Sequence, residues 1–548
     1  MRTLAIARVT LVACASLLGA FALNAASAWE ADKSYEFTLL HTNDHHGRFW
    51  PNRHGEYGLA ARKTLVDNIR AEVSAAGGHA LLLSGGDINT GVPESDLQDA
   101  APDFKAMNML GYDAMAVGNH EFDNELPVIR KQEGWADFPF LSANIYDESS
   151  GKRLFLPYQM FDLGELKVAV VGFTTEDTQK LGNPEFMDGI VFTTPVAEAA
   201  KLIPGLRKRA DLVIAVTHMG HYQNAAYGIN APGDVTLARR VLGIDIIIGG
   251  HSQDPVCMES RNKVIAEYQA GNPCTPDIQN DTYIMQAHEW GKYVGRADFV
   301  FRNGALDLRR YELIPVNLKK KVTNAEGESV RVLIDEEIVP DASVASFLQP
   351  FQDQGQAELQ TRIGRVDAKL VGDRDVVRFR ATNLGHLIAT AQMGKVGGDL
   401  AVMNSGGIRD SIEAGDITYK DVLKVQPFAN AVAFVELTGT ELQDYLAAVA
   451  AKPIDSGAFA QFAGVQLDIE AGALASARVN GKAIDPAATY RLAINSYIAA
   501  GGDKYPRMDN HPNYVNTGFV DADVLTEYIR KNSPINAAEH DVGDVMRR

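Results

Sequence analysis

The chain has little cysteine and a deficit of positive charge. Three cysteines occur among 548 residues, and 52 Lys and Arg stand against 70 Asp and Glu, for a formal charge of −18. That deficit excludes a general binder of nucleic-acid polymers or anionic membranes, because both want a positive surface. A small anionic substrate needs only a local positive site. Beyond residue 28 no stretch has the roughly 20 consecutive apolar residues of a membrane span. Glycine (48) and proline (22) lack the excess of collagenous or disordered chains, and 46% hydrophobic with 22% charged residues is ordinary for a globular protein. At about 150 residues per domain, the length indicates two to four domains.

The N-terminus reads as a targeting segment. Arg2 and Arg8 form a basic region, Val9 to Leu23 is apolar, and Ala26-Ser27-Ala28 is a small-x-small cleavage site. Residues 1–28 are therefore expected to be a secretory signal peptide, with a periplasmic mature chain starting at Trp29. A lipoprotein-like box, Leu11-Val12-Ala13-Cys14, competes, but the apolar stretch mostly follows it. Loss of Arg2 and Arg8, with no acid lost, takes the charge from −18 to −20. Cys257 and Cys274 then remain, an even number in an oxidising compartment, and are expected to pair. The alternative is two buried free thiols.

From about residue 34 to 320 one pattern recurs. A short run rich in Val, Ile and Leu ends abruptly in polar residues. Phe37 to Leu40 leads into His41-Thr42-Asn43-Asp44-His45-His46, and Ala80 to Ser84 into Gly85-Gly86-Asp87. Ala114 to Val117 leads into Gly118-Asn119-His120-Glu121-Phe122-Asp123. Leu212 to Val216 leads into Thr217-His218, and Ile244 to Ile248 into Gly249-Gly250-His251-Ser252-Gln253. Helical stretches lie between, such as Leu59 to Val73 and Val196 to Arg209. Buried strands alternating with helices indicate an α/β domain, in which chemistry sits beyond the carboxyl ends of the strands.

Those ends carry a selective set of groups. Asp44 and His46, two apart on an extended chain, point to one side. Glycines precede Asp87, Asn119 and His251, as a backbone crowded against a ligand requires. Carboxylate, imidazole and amide oxygen together suit Zn, Mn or Co better than Ca or Mg alone. The donors suffice for two divalent ions, an arrangement fitted to hydrolysis of a phosphate ester. A single strand-end Asp is usually a cap, and a single His is usually structural; five such ends in succession carry the metal reading. His41, His45, His54, His221 and His288 lack that support and read as structural or supporting.

The series Asp44-x-His46, Gly86-Asp87, Gly118-Asn119-His120-Glu121, His218 and Gly250-His251-Ser252-Gln253 resembles the calcineurin-like metallophosphoesterase signature. The commonest superfamily pattern ends Gly-His-x-His, where this chain has Gln253. The stretches HTNDHHGRFW, LSGGDINTGVPESDLQDA, GNHEFDN, THMGHY, GGHSQDPVC and QAHEWGKYVGRADF resemble the bacterial periplasmic UDP-sugar hydrolase/5′-nucleotidase family, in which Gln is expected there. The likeness runs to the end of the mature chain. It implies an N-terminal metallophosphoesterase sandwich over 29–330, a helical linker over 331–361, and a C-terminal 5′-nucleotidase α/β domain over 362–548. It also implies one metal held by Asp44, His46, Asp87 and Gln253, and another by Asp87, Asn119, His218 and His251. His120 and Asp123 would be the catalytic dyad, with His120 stabilising charge on phosphoryl or leaving-group oxygens.

The second half carries no metal-ligand series. Lys319-Lys320-Lys321 reads as a solvated charge run. Asp341 is placed to cap a helix from Ser343 to Leu359, kinked or split by Pro350. Beyond Arg362, Leu384 to Gln392 and Glu441 to Ala450 read as helices, and Val432 to Leu437 and Tyr490 to Asn495 as strands. Arg374, Arg378 and Arg409 suit an anion, Phe428 and Tyr497 a stacked base, and Asp503 a ribose. Solvated arginines and core aromatics are the competing reading. The resemblance places nucleoside binding at these positions and at Asn430 and Gly457. Its second ring is usually Phe within Phe-Asn-Ala-Thr-Gly-Gly-Asp, whereas this chain has Tyr497 within Tyr497-Ile498-Ala499-Ala500-Gly501-Gly502-Asp503.

The implied activity is hydrolysis of UDP-sugars to UMP and sugar-1-phosphate, and of nucleoside 5′-phosphates to nucleoside and phosphate, by a monomer. A 2′,3′-cyclic-nucleotide phosphodiesterase/3′-nucleotidase shares the metal pattern. A non-catalytic nucleotide- or metal-binding export would not need the His120–Asp123 pair.

Overall fold

Two six-stranded sheets face each other across the core of the first half. The computed structural model describes residues 29–181, 186–223, 231–324, 327–428, 430–470, 472–541 and 545–547; the signal segment expected over 1–28 lies outside them. One sheet runs in the order Ala305–Pro315, Tyr293–Arg302, Ser34–Thr42, His79–Ser84, Ala114–Ala116, Phe140–Leu141. The other runs Asp277–Gln279, Thr282–Met285, Ile246–Ile248, Leu212–His218, Leu166–Thr174, Tyr158–Leu163. The inner strands of both are parallel; the second sheet is flanked by antiparallel strands at both edges, and the first at one edge only, since Phe140–Leu141 at its other edge pairs parallel. Leu39, Leu83 and Ala116 from one sheet meet Val170, Ile214 and Ile248 from the other in a single buried cluster. Strands buried on both faces read as continuous apolar runs, which is why the sequence announces them.

Helices cover the outer faces. Leu59–Ala75, Ala101–Leu110 and Leu126–Trp135 pack on the first sheet, and Pro195–Leu206 and Asp234–Arg240 on the second. Ile246–Ile248 is shorter than the apolar run suggested, because Asp245 turns its carboxylate onto the Val213 N–H (2.7 Å) and Arg207 (2.6 Å). The lysine run is not a free charged stretch: Lys319–Thr323 pairs antiparallel with Ser329–Leu333, so a hairpin crosses residue 330. The connecting helix, Ala342–Glu358, contains Pro350 without being divided, and the Asp341 carboxylate accepts hydrogen bonds from the Ser343 and Val344 N–H groups.

The C-terminal domain is also α/β. Its main sheet runs Ala460–Ala463, Leu400–Asn404, Thr489–Asn495, Ala431–Thr438, Tyr514–Val520. Asn383–Lys395 and Asp521–Asn532 bury one of its faces and Gly439–Ala450 the other. Cys257 and Cys274 form a disulfide. Among the described residues no helix is long and apolar enough to cross a membrane.

Candidate active site

The five polar strand ends of the first half converge at one edge of the sandwich. Asp44 (0% exposed), Asp87 (1%), His218 (0%) and Asn119 (4%) are buried together. His218 Nε2 lies 2.9 Å from Asp87 Oδ2 and 3.1 Å from Asn119 Oδ1. His46 Nε2 lies 3.9 Å from both Asp44 Oδ1 and Asp87 Oδ2. The amide of Gln253 reaches His46 Nε2 at 2.8 Å. The Asp44 carboxylate accepts from the His251 N–H at 3.0 Å. Two groups of donors result, His46 with Asp87 and His120, and Asp87 with His218 and His251; in each, the ligand atoms lie within 4.8 Å of one another. Asp87 belongs to both.

The backbone is bent to make this possible. Asp44 (φ 50), His46 (φ 51), Asp87 (φ 56), His251 (φ 81) and Gln253 (φ 56) all adopt left-handed conformations, uncommon for residues with a Cβ. Five together at one place are strain of the kind retained at functional sites. The flanking glycines serve close approach: a Cβ on Gly250 would stand 2.6 Å from the Gly85 carbonyl oxygen and 3.0 Å from Asp44 Oδ2.

Imidazole orientation is fixed from behind. His46 Nδ1 donates to the Thr90 carbonyl (2.8 Å) and His218 Nδ1 to that of Gly85 (2.7 Å), which turns both Nε2 atoms inward. Burial holds His46 and His251 neutral, with pKa lowered to about 3. Burial pushes the Asp44 carboxyl up. Against burial, which alone would raise it, His218 and His120 hold the Asp87 carboxyl far down. His218 itself is raised, since Asp87 outweighs its desolvation. Neutral imidazoles, ionised Asp87 and amide groups converging on it fit divalent metal ions of the Zn, Mn or Co type.

His120 stands beside this centre on the short 3-10 turn His120–Asp123. Its Nδ1 lies 2.6 Å from Asp123 Oδ2, and its N–H donates to Asp87 Oδ1 at 3.0 Å. Burial lowers its pKa, but Asp123 and Asp87 raise it more, to about 10. Thr90 Oγ1 donates to the same Asp123 oxygen at 2.6 Å. Glu121, which sequence reasoning missed, is buried and accepts from the Ile88 and Gly118 N–H groups, tying two ligand loops together. A buried acid within Asn119-His120-Glu121 was its one sequence signal. His45 bonds Asp103 and His221 bonds Asp277, both at 2.9 Å, and His288 Nδ1 meets the Gln253 carbonyl at 2.7 Å. Among the described residues the buried His41 ring has no hydrogen-bond partner, and it lies 6.1 Å from the ring of Tyr311.

The C-terminal candidates gather elsewhere. Burial and the charges of Arg374 and Arg409 lower the Arg378 pKa, against the pull of Asp503 and Asp455. Arg378 Nε is buried without a hydrogen-bond partner among the described residues. Arg409 lies over the Phe428 ring at 5.5 Å, and Tyr497 Oη donates to Asp503 Oδ1 at 3.2 Å. Phe428 and Tyr497 are 53% and 46% exposed, so both rings are accessible to a ligand. Gly457 lies against Gly406 and Asp503, where a Cβ would stand 3.3 Å from the Gly406 Cα and 3.4 Å from Asp503 Oδ2. The Asn430 side chain turns away, to Asp521 Oδ2 at 3.3 Å. A cleft of about 1780 Å³ between the domains is lined by His46, Asp87, His120, His251 and Gln253; of the C-terminal candidates only Phe428 reaches it. On its far side Gly518 (φ 73) rests on His120, where a Cβ would stand 2.9 Å from Nε2.

Comparison with known proteins agrees with this layout. Residues 37–255 match the calcineurin-like phosphoesterase family and residues 362–510 the 5′-nucleotidase C-terminal domain. The chain is 60% identical over 526 residues to a 5′-nucleotidase of Vibrio cholerae, covering 95% of each chain. It is 58% identical over 532 residues to Protein UshA of Escherichia coli, covering 96% of this chain and 97% of that one. Among solved structures, the NAD nucleotidase of Haemophilus influenzae superposes with a TM-score of 0.78 at 22% identity, over 94% of this chain and 99% of that one, a likeness of fold. The chain belongs to the 5′-nucleotidase family, hydrolases that join a calcineurin-like metallophosphoesterase domain to a 5′-nucleotidase C-terminal domain.

Proposed function

We propose that the chain is an exported hydrolase of nucleoside 5′-phosphates and UDP-sugars, serving nucleotide salvage in the periplasm. The observation that carries this reading is the Asp87 carboxylate, common to two groups of ligand atoms beside the His120–Asp123 pair. Asp44, His46, Asp87 and Gln253 would hold one divalent ion, and Asp87, Asn119, His218 and His251 the other. When bound, such ions supply Lewis acidity toward a phosphoryl oxygen and a nucleophile at neutral pH.

The remaining work falls to the chain's own groups. Asp123 fixes His120 Nδ1, leaving Nε2 to donate a proton to the oxygen on which charge develops. Arg374, Arg378 and Arg409 meet the phosphates or the ribose, Phe428 and Tyr497 the base, and Asp503 the ribose; Gly457 lets the ligand approach the backbone, and Asn430 completes the set. Since only Phe428 of these borders the metal-side cleft, turnover requires the C-terminal domain to change its position. A disulfide locking the two domains and leaving turnover unchanged would contradict that step.

The test is product identification with the purified mature chain, given AMP or UDP-glucose with Mn or Co. Adenosine, phosphate, UMP and glucose-1-phosphate, all lost on adding a chelator, are the expected result. Preference for a 2′,3′-cyclic nucleotide would favour the related phosphodiesterase activity. Nucleotide binding without turnover under any metal would refute the enzyme reading.

A further inference from the structure

Arg48 is a half-buried arginine beside the metal-side residues and outside both groups of candidate ligands. It follows the strand Ser34–Thr42 by six residues, two beyond His46, and borders the same cleft as His46, Asp87, His120 and Gln253. One donor is engaged: Nη1 meets the Gly91 carbonyl at 2.9 Å. Nε is buried without a hydrogen-bond partner, and among the described residues no ion pair involves this side chain. After the Tyr57 hydroxyl, the charges it feels most are the carboxylates of Asp96 and Glu289, and both are committed elsewhere. Asp96 accepts from the Gly91 N–H at 3.1 Å and Glu289 from Lys292 Nζ at 2.6 Å. A guanidinium partly withdrawn from water without a counter-ion is costly, and one kept so at the mouth of a site is placed for an anion.

Its position is built rather than incidental. The guanidinium lies 4.5 Å from the centroid of the Trp290 ring. Trp290 is held at φ 59, which is strained for a bulky residue. Its N–H donates to the Asp44 carbonyl at 2.6 Å, and the preceding loop is anchored by Asn43 to the His288 carbonyl. Strain is thus spent on standing an aromatic plane next to an Asp44 loop and under an arginine. Both residues line the cleft.

We infer that Arg48, oriented by Trp290, binds the second phosphate of substrates with a pyrophosphate linkage, and so sets preference for sugar nucleotides over monophosphates. The inference rests on the two-metal reading above, which assigns the scissile phosphate to the Asp87 centre and the nucleoside to the C-terminal domain. A monophosphate has no second phosphate for Arg48. A UDP-sugar does, and a planar guanidinium with free N–H donors matches its oxygens.

The test compares UDP-glucose with UMP, which differ only in the glucosyl phosphate. In Arg48→Ala the ratio of kcat/KM for UDP-glucose to that for UMP should fall about ten- to hundredfold, the worth of a hydrogen bond to a charged group. Arg48→Lys should lose less, and Trp290→Leu should shift the ratio the same way, through KM. A purely structural role would lower both substrates alike and leave the ratio unchanged; that result, or no effect at all, overturns the inference. A second arm needs no turnover. Calorimetric titration of the metal-loaded chain with glucose-1-phosphate should give a Kd about tenfold weaker in Arg48→Ala, and an unchanged Kd overturns the inference. If the wild-type chain turns over UMP but not UDP-glucose, the sugar-nucleotide part of the proposed function fails, and the titration alone decides the role of Arg48.

Discussion

Adding one methyl group at Gly118 should disable the metal centre while leaving the fold intact. A Cβ there would stand 2.7 Å from the Asp87 N and 2.9 Å from Asp87 Cγ, with Oδ1 closer still. Neither neighbour is the free end of a flexible side chain. The Asp87 N–H donates to Glu121 Oε2 at 3.3 Å, and Oδ1 accepts from the His120 N–H at 3.0 Å. Restoring an ordinary contact of 3.4 Å demands a retreat of about 0.7 Å by the Asp87 N, and a larger one by Oδ1 of the carboxylate shared between both groups of ligands. Displacements near 1 Å cost about a hundredfold in well-positioned sites. Gly118→Ala should therefore lose roughly thirty- to hundredfold in kcat/KM for AMP, with metal affinity lowered in the same preparation. Gly134→Ala is the control, because nothing lies within 4 Å of the added group. Activity and metal titration of both variants, with melting curves to confirm folding, make the assay. Wild-type turnover in Gly118→Ala would refute the reasoning.

Two further predictions concern stability. The Cys257–Cys274 bond closes a 17-residue span, worth about 3 kcal/mol by chain-entropy arguments; reductant, or Cys257→Ser with Cys274→Ser, should lower Tm, and an unchanged Tm would contradict this. Burial raises the Asp521 pKa to about 7, well above its ordinary value of 3.8, despite the hydrogen bonds from Asn430 and Ala522. Its proton is therefore released from the unfolded chain first, and stability should fall as pH rises from about 4 to 7. In Asp521→Asn that decline is removed, so the variant's Tm relative to wild type should rise across the same window; a constant difference would show that Asp521 does not titrate there.

The strand tips were legible because parallel strands buried on both faces, such as Leu212–His218, are written as unbroken apolar runs that stop at polar residues. The antiparallel strands Tyr293–Arg302 and Ala305–Pro315 carry no such mark, since alternation along Ala305–Pro315 resembles an exposed segment. The Lys319–Thr323 hairpin was hidden for the same reason: its side chains are mostly exposed, and only the backbone pairing makes it a strand. Residue types at the centre pointed to metal chemistry, but the left-handed conformations of Asp44, His46 and Asp87 leave no trace where the residue is not glycine. Contacts between the domains were the least legible. That Gly518 rests on His120, or that Phe428 alone among the nucleoside candidates borders the cleft, depends on a domain placement that no local pattern encodes.

The central claim is that Asp87 joins two divalent ions whose presence is required for hydrolysis. It is tested most directly by titrating chelator-stripped chain with Mn while reading bound metal and AMP turnover together. The account predicts two ions per chain, activity that appears only as the pair fills, and an Asp87→Asn variant weakened at both sites. Full turnover in the stripped chain, or full turnover with a single ion bound, would contradict it.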